Sequence, residues 1–158
     1  MPRPEKVEAI PAGPLATRLI TLEAVLFLLA ARMLIAGVRF GRWRELLGRP
    51  VNPDDPAFGV QAQPMDRYLA RATDRAADRL PLDLKCLPRA MALQWMLHRR
   101  ERPGELVIAA IPPDRRTGSD DFHAWVEIGD TRLINQSYEP YQPLLRLRFQ
   151  QSGDQDVY

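Results

Sequence analysis

A chain of 158 residues, 46% of them hydrophobic, can bury one ordinary core without help from disulfides or metals. Its net charge of +2 reflects an arginine excess, Lys6 and Lys85 being the only lysines, and basic residues alternate with acidic ones, which excludes a nucleic-acid stripe. A single cysteine excludes an intramolecular disulfide and a thiolate cluster, two histidines leave no zinc set, and no cofactor is called for; a reducing, cytoplasmic setting fits.

Residues 1–17 open as MPRPEKVEAIPAGPL, a proline-rich run of mixed charge expected to be an irregular arm rather than a signal peptide. Arg18 to about Gly37 reads as one helix, apolar on every side. Within it, Leu22 to Val38 (LEAVLFLLAARMLIAGV) is nearly continuous hydrophobe interrupted by Glu23 and Arg32. Such a helix needs cover from protein or from lipid, and it falls short of the ~20 apolar residues of a free span. Burial or peripheral membrane contact through 22–38 is expected ahead of a signal anchor. Arg39, Arg42, Arg44 and Arg49 then interleave with Phe40, Trp43, Leu46 and Leu47 as a short amphipathic helix that Gly48 and Pro50 end.

Residues 49–64 (RPVNPDDPAFGVQAQP) form a proline-rich connector around Asp54 and Asp55. Neither flank is large enough for its own core. The reading is therefore one domain over 18–149, with a helical N-terminal part over 18–64 and a core over 65–149. Asp66 to Leu80 repeats apolar residues at helical spacing, and its other face carries Arg71, Arg75 and Arg79 with Asp74 and Asp78, expected to pair along the helix surface.

Pro81 stops that helix and Cys86 to Arg100 (CLPRAMALQWMLHRR) starts the next. Pro88 is tolerated only in a first turn, which places Cys86 at or just before the helix N-terminus. Glu105 to Ile111 reads as a buried strand and 112–121 as a polar loop. Phe122 to Ile128 alternates as a strand, with His123, Trp125 and Glu127 on one side. Gly129 and Asp130 mark a turn, Arg132 to Asn135 returns antiparallel, and 136–148 leaves room for one more strand. The tail over 150–158 is expected to fray.

A cysteine at a helix N-terminus has its thiolate favoured by the macrodipole and by unpaired N–H groups, which can also serve an oxyanion. A buried structural thiol is the plainer alternative for Cys86. His98 is excluded as its base because twelve residues along one helix separate the two by about 18 Å. His123, on a strand that can return against the helix start, is the candidate left. A third residue should hold the imidazole in the tautomer that faces the thiol. Asn135 is the choice. A two-residue turn at Gly129 and Asp130 would set Asn135 opposite Ala124 and Gln136 opposite His123, whereas a longer loop or a bulge would bring Asn135 onto the His123 face, so Gln136 stays in reserve. Glu127 stands about 13 Å along the strand from His123, too far to serve. Ser119 and Ser137 occupy no nucleophile elbow.

The run CLPRAMALQWML, then LVIA, then FHAWVEIG resembles the transglutaminase-like leader peptidases of lasso-peptide biosynthesis, over roughly residues 18 to 147. The resemblance implies an α+β, papain-like fold, with N-terminal helices and a nucleophile helix packed on a small antiparallel sheet. It also implies a cytoplasmic cysteine protease that cuts the leader from a ribosomally made precursor peptide and hands the core to an asparagine-synthetase-like lasso cyclase. Nucleophile and base fall on Cys86 and His123. The third residue, usually an aspartate twelve positions after the histidine, falls on Asn135. Because the roughly 85 residues before Cys86 read as helices rather than a winged-helix-like module, a separate small leader-recognition protein is expected. Two rivals remain: acyl transfer through the same thioester, and a non-catalytic peptide-binding scaffold.

Overall fold

Prolines and glycines punctuate the chain where the helices begin and the strands close. The computed structural model describes residues 9–52, 59–118, 121–137 and 140–150. Pro14 occupies the first turn of helix α1 (Pro14–Gly37), where its missing N–H costs nothing, directly after Gly13 at φ 100°. The helix thus begins four residues before the expected end of the irregular arm, and 14–17 are helical. Residues 1–8 lie outside the described residues, as do Asp54, Asp55 and 151–158 of the expected tail.

Helix α1 buries Ile20, Ala24, Leu28 and Ala31 against α3 (Pro64–Arg79) and α4 (Cys86–His98). Between α1 and α3 runs a short α2 (Phe40–Trp43) followed by a 3₁₀ turn over Arg44–Leu47, in place of one amphipathic helix. Trp43 Nε1 donates to Val38 O at 3.1 Å and fixes the bend. Gly48 has φ 115°, and a Cβ there would stand 2.5 Å from the Arg148 carbonyl carbon. That close approach makes a strand of the first connector residues: β1 (Arg49–Pro50) pairs with the last strand through Arg49↔Arg148 and Pro50↔Leu147.

The start of α3 is tied by Asp66, fully buried, which accepts from the Gln63 backbone N–H at 2.8 Å and from Arg102 at 2.9 and 2.7 Å. Further along, Asp74 and Asp78 do not serve surface pairs within the helix: both accept from Arg89 of α4, at 2.9 and 2.7 Å. The spacing that would serve neighbours on α3 instead presents two carboxylates to one guanidinium on the packed helix.

Five strands form one antiparallel sheet in the order β1-β5-β2-β3-β4. They are β2 (Glu105–Ala110), β3 (Phe122–Ile128), β4 (Thr131–Arg132) and β5 (Gln142–Arg148), with β1 at one edge. Leu106, Ala124, Val126, Ile128 and Leu147 join the helices in the main core, while Val107, Ala109 and Trp125 form a smaller cluster on the other face. The expected α+β arrangement of helices on a small antiparallel sheet is the one observed. Phe122 departs from the alternation and is 58% exposed.

Candidate active site

Helix α4 begins at Cys86, with Lys85 as the residue before its first turn and Pro88 buried within that turn. Arg89 holds the approach in place: its Nε donates to Leu84 O at 2.9 Å while its other nitrogens reach Asp74 and Asp78. The half-buried thiol is therefore presented from a helix start anchored to α3.

The other half of the site forms where β4 leaves β3. The hairpin turns on Gly129 and Asp130, Gly129 supplying the positive φ of 59° that a two-residue loop requires. Pairing runs through Ile128↔Thr131 and Glu127↔Arg132, and Leu133 N–H still reaches Val126 O at 2.8 Å. In that register Asn135 falls opposite Ala124, off the His123 face. At Asn135, however, φ is 57°, a left-handed conformation that asparagine tolerates, and the chain turns away. Ala124 thereby keeps an N–H and a carbonyl that a longer β4 would have taken. The carbonyl accepts from Asn135 Nδ2 at 2.8 Å, and the N–H bonds the Cys86 thiol.

His123 is brought to Cys86 by this arrangement. Its Nε2 lies 2.7 Å from the backbone carbonyl of Asn135; a carbonyl only accepts, so Nε2 carries the hydrogen and the other ring nitrogen, Nδ1, is left for the hydrogen bond with the thiol. The Asn135 side chain makes no hydrogen bond to the imidazole. Its Nδ2 is spent on Cys86 O at 2.7 Å and on Ala124 O, pinning the nucleating helix turn to the strand. Asn135 thus serves His123 through its main chain. Gln136 is turned away, donating to Arg132 O at 2.6 Å, and Glu127 accepts from Trp125 Nε1 and from Arg146. His98 stacks on Phe149, centroids 3.8 Å apart, at the far end of α4. Ser119 lies outside the described residues, and Ser137 follows the segment that leaves β4.

The electrostatics of the pair are reciprocal. Burial raises the Cys86 thiol, but the hydrogen bond from His123, the Ala124 N–H, the imidazolium charge and the Leu87 N–H together bring it below its ordinary value. The Cys86 hydrogen bond lifts His123 above its ordinary value, against burial, aided by the Asn135 carbonyl and the thiolate charge and opposed by Arg132. Both shifts favour a thiolate–imidazolium pair. Tyr141, which no sequence pattern marked, stacks on the imidazole with centroids 4.9 Å apart and planes 20° from parallel. A cleft of about 860 Å³ opens over the pair, lined among others by Lys85, Arg115, Asp121 and Tyr141.

A polarised thiol and imidazole at the bottom of such a cleft can attack a carbonyl carbon and pass a proton to the departing group. The family described as the transglutaminase-like superfamily matches residues 25–146, which include Cys86, His123 and Asn135. No curated protein and no solved structure matches the chain significantly.

Proposed function

This chain belongs to the transglutaminase-like superfamily, whose members carry out cysteine protease or acyltransferase chemistry, and from that membership we propose that it is a cysteine endopeptidase removing the leader from a ribosomally made precursor during lasso-peptide maturation. The observation that carries the proposal is the placement of Cys86, at the start of α4, with His123 in one open cleft, where each shifts the other toward its charged form. The lasso assignment is supported by the resemblance of the CLPRAMALQWML and FHAWVEIG blocks to those peptidases.

In the proposed reaction the Cys86 thiolate attacks the scissile carbonyl carbon and N–H groups at the start of α4 receive the oxyanion. The His123 imidazolium gives its Nδ1 proton to the leaving amine, and the C–N bond breaks to leave a thioester. His123, now neutral, takes a proton from water, whose oxygen attacks the thioester. Cys86 departs as thiolate and the acid product leaves. A separate leader-recognition protein would bring the precursor to the cleft, and an asparagine-synthetase-like cyclase would take the released core, in the cytoplasm.

Incubating precursor with the chain and a leader-recognition protein, followed by mass spectrometry, tests the reading. Wild type should yield free leader and C86A none, with the variant's circular dichroism unchanged. Cleavage by C86A would remove Cys86 from the mechanism. A product carrying a new amide would assign acyl transfer instead, and an intact precursor with a thiol inert to iodoacetamide would leave a binding scaffold.

A further inference from the structure

Helix α1 buries one face and leaves the opposite one bare. Leu15, Leu19, Leu22, Leu26, Leu29 and Met33 are each 37–73% exposed. Their steps of four and three residues keep all six within about 40° of one line along the helix, a ridge about 27 Å long. Single exposed leucines are ordinary, but an unbroken ridge of six marks a surface that something covers.

Charge decides between the occupants. From 14 to 43 every exposed ionisable side chain is an arginine: Arg18, Arg32, Arg39 and Arg42. Glu23, the acid of α1, is 10% exposed and held by Arg99 and Arg100 at 2.9 and 2.8 Å; Glu45 follows beyond, on the 3₁₀ turn. Antiparallel pairing with a second copy, which would keep all six ridge residues in register, sets Arg18 of one copy beside Arg32 of the other, like against like. Parallel pairing would need Glu23, whose carboxylate already serves two arginines. An apolar ridge flanked by cations fits an anionic bilayer instead, where arginine stems lie along the apolar boundary and their heads meet phosphate. Phe40, 44% exposed, extends the apolar surface beyond the helix end between Arg39 and Arg42. Because it starts at Pro14 rather than Arg18, α1 reaches 24 residues and, contrary to the sequence expectation, is long and apolar enough to cross a membrane; its other face packs on α3 and α4, so it lies along the surface.

We infer that α1 docks this protein lengthwise on an anionic lipid surface, the leucine and methionine ridge entering the acyl boundary and Arg18, Arg32, Arg39 and Arg42 reading the headgroups. The inference stands independently of the proposed peptidase reaction. Flotation of the full chain with vesicles of phosphatidylcholine alone, or with phosphatidylglycerol added, tests it. Wild type should float with the anionic vesicles and far less with the neutral ones. At about fivefold per arginine, R18Q/R32Q should lower the partition coefficient by roughly 25-fold. L19S/L26S, which touches only exposed side chains, should abolish flotation. Both variants should keep the wild-type circular dichroism and Cys86 alkylation rate; if the serine variant unfolds, the arginine variant carries the test alone. Wild type that stays with the solvent in the presence of anionic vesicles overturns the inference. So does R18Q/R32Q floating like wild type. A vesicle-free dimer that L19S/L26S dissociates, without vesicle binding by wild type, would assign the ridge to a second copy.

Discussion

Replacing Asn135 with Asp separates two ways in which this residue could serve His123. If the side chain oriented the imidazole, aspartate would supply a stronger partner and N135D would retain or increase reactivity. The geometry dictates the opposite. Asn135 Nδ2 donates to Cys86 O at 2.7 Å and Ala124 O at 2.8 Å, and each such bond contributes about 0.5–1.5 kcal/mol. N135A forfeits both, about 1–3 kcal/mol, and adds ~1 kcal/mol for alanine at a positive φ. N135D keeps the backbone conformation but turns a carboxylate oxygen toward two carbonyl oxygens. Its loss at pH 7 should therefore match or exceed that of N135A. The carboxyl, disfavoured as an anion there, would have a folded pKa raised above the unfolded ~3.9. Its penalty is absent below the unfolded value, where both states are protonated, and grows as pH rises through the folded one. Urea unfolding followed by tryptophan fluorescence at pH 7 and pH 5 should show N135D recovering stability at the lower pH relative to wild type. Iodoacetamide labelling should show Cys86 less reactive in N135D at pH 7. An N135D protein as stable as wild type at pH 7, with a more reactive thiol, would refute the main-chain role.

Two further outcomes follow from the same geometry. In H123A, burial of the Cys86 thiol is opposed only by the Ala124 and Leu87 N–H groups, so the inflection of its alkylation rate should move up toward the ordinary thiol value of about 8.5, where roughly 3% is thiolate at pH 7. Wild type should alkylate at lower pH, down to the depressed thiol pKa, and coincident profiles for the two proteins would dissociate the thiol from the imidazole. In D66A the Arg102 guanidinium, 8% exposed, loses its fully buried carboxylate partner, and breaking a buried ion pair of this kind costs about 3–5 kcal/mol. A urea midpoint within error of wild type would show that Arg102 finds solvent.

Sequence chemistry singled out Cys86, His123 and Asn135, which the fold brings together, but not every contact among them. Pro88 pinned Cys86 to a helix start, and helix length removed His98, because both arguments rest on rigid local geometry. Asn135 is legible as a candidate partner of His123, yet its use of a carbonyl rather than an amide depends on one left-handed φ and on where β4 stops pairing. Neither has a periodic signature. Strand β1 escaped for a related reason: two residues carry no alternation, and their pairing depends on Gly48 letting Arg148 approach. The acidic pair on α3 has the look of surface pairing because the i,i+3 spacing of Arg71 with Asp74 and of Arg75 with Asp78 serves a neighbouring arginine as well as Arg89 on another helix. Pro14 read as part of an irregular arm, although a first helical turn accepts proline without loss.

The early departure of β4 from β3 explains how a main-chain carbonyl comes to meet His123. Had β4 continued, the Ala124 N–H and carbonyl would have been consumed by the ladder, closing the edge where α4 now begins. Because it stops, the N–H is free to bond the thiol and the carbonyl to receive the amide that fixes the helix turn. The bend that frees them also aims the Asn135 carbonyl at His123 Nε2. That carbonyl brings only a partial negative charge, so it fixes the tautomer more than it stabilises an imidazolium. The stabilisation comes first from Cys86 itself, whose hydrogen bond leads the causes that raise His123. The favourable part of each member's shift toward its charged form therefore comes chiefly from the other, and Asn135 holds the two in register at the strand edge.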